Sequence, residues 1–71
     1  MDKFYFAAKI QQEYADTIRK KAITLGVSQK NIKFNPKGCN FLEIGVYIKF
    51  EDKDAYEKFK SLELPGIVET W

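Results

Sequence analysis

An α+β domain in the order strand, helix, strand, strand, helix, strand is predicted by three features of this 71-residue chain. Residues 3 to 10 and 41 to 51 alternate apolar with polar side chains, the signature of strands with one buried face. Residues 11 to 25 and 54 to 62 instead repeat apolar residues at helical spacing, and turn formers separate the segments. At this length the chain is a single domain, 1–71, and folding buries only roughly 60% of the unfolded surface, so the core is small. An apolar fraction of 45% with 15% aromatic residues excludes a disordered chain, and 31% charged residues fit a soluble one.

The first strand, KFYFAAKI, places Phe4, Phe6, Ala8 and Ile10 on one side and Lys3, Tyr5, Ala7 and Lys9 on the other. From Gln11 to Leu25 the spacing of Tyr14, Ile18, Ala22 and Leu25, with Ala15 beside them, predicts an amphipathic helix that Gly26 terminates. Ile32 and Phe34 mark a short second strand, kept short or at an edge by Pro36, which has no N–H to donate. The third strand is the best patterned: Leu42, Ile44, Val46, Ile48 and Phe50 face the core, while Phe41, Glu43, Gly45, Tyr47 and Lys49 face away. Asp52 or Asp54 can cap the second helix, whose inward stripe is Ala55, Phe59 and Leu62 and which Pro65 and Gly66 end. IVETW is the last strand, and its alternation does not decide between Ile67, Glu69 and Trp71 on one side and Val68 and Thr70 on the other.

Right-handed crossovers around each helix, with a hairpin between them, give the ferredoxin-like βαββαβ arrangement. It is a four-stranded antiparallel sheet in the order 4-1-3-2 with both helices on one face. The core expected from this is Phe4, Phe6, Ile18, Leu42, Ile44, Val46, Ile48, Phe50 and Phe59. The other face is uncovered, and parity puts Tyr5, Tyr47 and Phe41 there, ringed by Lys3, Lys9, Lys33 and Lys49 with Glu43 among them. Aromatic side chains on a solvated face ask for a ligand or a partner.

Catalytic chemistry finds little footing. The chain has no histidine, the usual proton shuttle and commonest transition-metal ligand. Cys39 stands alone in a turn, which rules out an intrachain disulfide or a CxxC metal site and suits a reducing compartment. Ser28 and Ser61 have no triad partners, no glycine-rich phosphate loop is present, and the paired carboxylates of EDKD fall at a helix start that needs them for capping. The only arginine, Arg19, lies within a charged helical face. No enzyme activity, metal or cofactor is expected. The N-terminal run FYFAA is too short for a signal peptide and nothing approaches the ~20 apolar residues of a membrane span, so a cytoplasmic protein without membrane contact is expected. Twelve basic against ten acidic residues, a net charge of +2, is not the footprint of a duplex-DNA binder. The lysine-rich, arginine-poor composition fits a bacterial or phage genome rich in A·T pairs.

VYIKFEDKDAYEKF, residues 46 to 59, resembles the third strand and second helix of the RNA recognition motif family, whose strand pattern K/R-G-F/Y-G/A-F-V-x-F/Y precedes an acidic turn and an alanine-bearing helix. Tyr47, Ile48 and Phe50 match the last half of that pattern. Glu43 replaces the opening basic residue, and Gly45 stands where a stacking aromatic belongs. Tyr5 occupies the position of the family's stacking aromatic on the first strand. The resemblance covers about a fifth of the chain and implies single-stranded RNA stacked on Tyr5 and Tyr47. The expectation from size and from the mixed aromatic, Lys and Glu surface is different: a small interaction protein, as a homodimer, an adaptor or an inhibitor of a larger complex, working through the open face. Single-stranded nucleic acid is the alternative occupant of that same face.

Overall fold

Two strands of alternating sequence pair along their whole length, and the remainder of the chain is arranged around them. The computed structural model describes residues 4–36 and 41–71, so Lys3 and Cys39 lie outside the described residues. In chain order the elements are β1 (Phe4–Gln11), a 3-10 turn (Gln12–Tyr14), α1 (Ala15–Thr24), a second 3-10 turn (Gln29–Asn31), β2 (Ile32–Asn35), β3 (Glu43–Phe50), α2 (Lys53–Ser61) and β4 (Ile67–Thr70). β1 and β3 are antiparallel from Phe4 opposite Phe50 to Gln11 opposite Glu43. β2 adds to the far side of β3 and β4 to the far side of β1, both antiparallel, so the sheet order is 4-1-3-2.

Strand parity sorts the side chains. Ala8, Ile10, Val46, Ile48 and Phe50, with Ile32 of β2, form one buried cluster with Ile18 and Ala22 of α1 and Ala55 and Phe59 of α2. Both helices therefore cover the same sheet face. The ring of Phe59 is 4.9 Å from that of Phe6, edge to face, and 5.3 Å from that of Phe50, so α2 is seated on the two central strands through aromatic contact. Full burial of side chains such as Phe50, Phe59, Ile10, Ile18 and Ile48 contributes ~1.5–3 kcal/mol each. Phe4, Phe6 and Ile44 are half-buried and pack on this cluster's margin.

Helix boundaries follow local chemistry. Gln11, expected to open the first helix, is the last residue of β1, because its pairing with Glu43 continues the ladder and its N–H donates to the Gly66 carbonyl at 2.8 Å. α1 ends at Leu25 and Gly26, the latter with φ of +94°, a conformation open to a residue without Cβ. Asp52, not Asp54, caps α2: its carboxylate accepts from the Ala55 N–H at 3.3 Å.

Leu42, expected in the core, and Leu62, expected on the inward stripe of α2, are both exposed. Leu42 is 63% exposed, because β3 begins one residue later and Leu42 belongs to the preceding turn. Leu62 is exposed because α2 ends at Ser61 and the chain turns extended there. In β4 the alternation is broken: Ile10 pairs with Ile67 but Lys9 pairs with Glu69, so Val68 is the extra residue of a β-bulge. Ile67 packs against the core, whereas Glu69, two residues on, opposes Lys9 on the open face.

Ile48→Ala is expected to destabilise the fold by ~2–5 kcal/mol, and Leu42→Ala by no more than about 0.5 kcal/mol. Thermal or denaturant melting of the two variants checks the assignment; equal losses would contradict it.

Candidate binding face of the sheet

The side of the sheet without helices carries Tyr5, Ala7 and Lys9 from β1, Glu43, Gly45, Tyr47 and Lys49 from β3, and Lys33 and Asn35 from β2, as the register requires. Tyr5 is 63% exposed and Tyr47 42%. They are diagonal neighbours, since Tyr5 lies opposite Lys49 and Tyr47 opposite Ala7. Phe41 is 85% exposed in the turn before β3 and is not part of the sheet.

Trp71 completes this face. Past the bulge, the Trp71 N–H donates to the Ala7 carbonyl at 2.9 Å, which extends the pairing by one residue and turns the indole to the open side. The ring reaches Gly45: a Cβ on that glycine would stand 3.3 Å from Cη2 and Cζ3 of the indole and 3.1 Å from the Asn35 carbonyl oxygen. Gly45 is buried although it faces away from the helices, because the indole covers it. The ring centroid of Trp71 lies 5.8 Å from that of Tyr47, tilted by 37°, and the indole N–H donates to Glu69 Oε2 at 2.7 Å. Trp71 remains 53% exposed. The open side of Gly45 is thus covered by an aromatic ring from the residue that follows β4.

A depression of about 320 Å³ opens at the other end of this face, lined by Tyr5, Tyr47, Lys33 and Lys49, with Lys30 and Asn31 contributed by the 3-10 turn before β2. Among the described residues no carboxylate lines it. Among the described residues, neither Lys30 nor Lys33 takes part in an ion pair. The acids of the face, Glu43 and Glu69, lie toward its opposite end, beside Gln11 and Lys9 in the ladder. A search of known protein families, characterised proteins and solved structures finds no match to this chain. The geometry of the face therefore stands alone.

The remaining candidates offer less. Arg19 on α1 is bound to Asp16, whose other oxygen is 3.1 Å from Lys20 Nζ; the Arg19 hydrogen bond first, then that of Lys20, holds the Asp16 carboxyl below its ordinary value. That exposed cluster is an intrahelical network. Among the described residues no group of three His, Cys, Asp or Glu side chains could hold a metal, and no helix is long and apolar enough to cross a membrane. Sequence parity found Tyr5, Lys9, Lys33, Tyr47 and Lys49. It missed Trp71, Lys30 and Asn31. The one available signal was the pair of small residues Ala7 and Gly45 on an otherwise bulky face, which leaves a trough for a ring from elsewhere.

Gly45→Val is expected to push the indole off the sheet, shifting the emission of the chain's single tryptophan to the red and lowering stability by ~1–3 kcal/mol. Unchanged emission would show that Trp71 does not rest there.

Proposed function

We propose that this is a non-catalytic, cytoplasmic binding module of ferredoxin-like fold that holds single-stranded nucleic acid on its open sheet face. The observation that carries the reading is the combination of three exposed rings, Tyr5, Tyr47 and Trp71, with a lysine-lined depression in which, among the described residues, no carboxylate stands. The strand order 4-1-3-2, with both helices buried against one face, supports the fold assignment. Bases of a single strand are sequence-tolerant stacking partners for such rings, at ~1–3 kcal/mol each, and lysines around them draw the phosphates. A duplex offers no unstacked base, and a net charge of +2 gives it little general attraction. The ring of Trp71, lying over Gly45 beside Tyr47, adds an aromatic surface to the face and supports the stacking reading.

The second reading is the interaction protein, as a homodimer, adaptor or inhibitor. It is favoured by the opposite end of the face, where Lys9 opposes Glu69, and by the exposure of Val68 and Trp71. Mixed charge around an aromatic centre suits a self-complementary surface.

Salt separates the two. Binding of a short single-stranded oligonucleotide that neutralises three or four phosphates through Lys9, Lys30, Lys33 and Lys49 is expected to weaken with a logarithmic slope of about 2–3 in salt concentration. A protein interface centred on apolar burial would respond far less. Tyr5→Ala combined with Tyr47→Ala is expected to reduce oligonucleotide affinity at least ~30-fold while the chain stays folded, since neither ring belongs to the core. Titration by fluorescence anisotropy, with molar mass measured in parallel, checks both outcomes. A dimer indifferent to oligonucleotide would move the function to the second reading.

A further inference from the structure

The depression beside Tyr5 has the side chain of Asn31 in its wall. Asn31 ends the 3-10 turn Gln29–Asn31, and its backbone N–H donates to the Ser28 carbonyl at 2.9 Å, which fixes the turn against the start of β2. The residue is half-buried, and its side-chain amide has no hydrogen-bond partner among the described residues. Stacking alone needs no such group. At about 320 Å³ the depression reaches the lower bound of roughly 300 Å³ at which small-ligand sites begin, which is room for one base with its sugar. Tyr5 and Tyr47 supply the apolar walls, and Lys30, Lys33 and Lys49 surround the mouth with positive charge.

We infer that this depression is a base-reading subsite, in which one nucleotide of a bound single strand is seated between Tyr5 and Tyr47 and its base edge is read by the Asn31 amide. The inference rests on the nucleic-acid reading proposed above. An amide presents a donor and an acceptor side by side, and adenine offers it an amino group next to a ring nitrogen on both its Watson–Crick and its Hoogsteen edge, where cytosine does so on one edge only. Lys30 and Lys33 come from the same short segment as Asn31, so the phosphate contacts and the edge reader are held in one register by the backbone of residues 30 to 33. Trp71, at the far side of Tyr47, stacks a neighbouring base without reading it.

The test uses the full chain with short oligo-A, oligo-C and oligo-U, each as RNA and as DNA, titrated by anisotropy. The expected result is a preference of about tenfold for oligo-A. Asn31→Ala should remove that preference while leaving oligo-U affinity within about twofold and the salt dependence unchanged, and Asn31→Gln, which keeps the amide, should restore part of it. Lys30→Ala should weaken all the oligonucleotides alike and lower the logarithmic salt slope by about 0.7. Melting curves establish that each variant is folded; should Asn31→Ala fail to fold, Asn31→Asp removes the donor and is expected to lose the preference in the same way. Equal affinity of the unaltered chain for the three oligomers, or a preference that survives in the alanine variant, would overturn the subsite and leave the binding face standing. Absence of binding to every oligomer would overturn both.

Discussion

The antiparallel register of β1 against β3 is the constraint on which everything else in this molecule rests. Eight residue pairs, from Phe4 with Phe50 to Gln11 with Glu43, fix which side chains go under the helices and which go to water. Because side chains alternate with a period of two, a slip by one residue would send Ile48 and Val46 to solvent and bring Tyr47 and Lys49 beneath α1 and α2. The helices reinforce the register from one side, with Phe59 wedged against Phe6 and Phe50. The open face is the other product of the same pairing: its composition follows from whatever the core did not take.

Trp71 shows how a face laid down by two strands is finished by a third. Its position needs four separate features to agree: a bulge at Val68 that reverses parity, a backbone bond to Ala7, a small side chain at Ala7, and none at Gly45. The indole buries one edge on Gly45 and leaves the rest exposed beside Tyr47, while Glu69 holds its N–H. A ring tethered at one edge and its polar atom has fewer orientations to lose when a ligand stacks on it, which favours binding.

Alternation and helical spacing made the sheet order, the identity of the covered face, and most of the core legible in the sequence, because those patterns record burial directly. Ile18, Val46, Ile48, Phe50 and Phe59 were readable for that reason. Leu42 and Leu62 were not, since each is an apolar residue just past the end of its element, where periodicity continues on paper after the backbone has turned. Tyr5, Tyr47, Lys33 and Lys49 could be placed on the open face by parity alone. Trp71 could not, because a bulge is a local two-against-one mismatch that leaves no periodic trace, and Lys30 and Asn31 could not, because a 3-10 turn reaches the face by tertiary folding rather than by strand position.

The bulge has a bearing on how this protein lives at high concentration. An aromatic-rich sheet is exposed to pairing edge to edge with its own copies, since the outer strands present unused N–H and C=O groups. Here both outer strands are only four residues long. β4 carries the bulge and Glu69, and β2 carries Lys33 and is followed by Pro36, which has no N–H to offer. The rims of the sheet are therefore poor templates for fibrous growth, although Tyr5, Tyr47 and Trp71 stand exposed on the face between them.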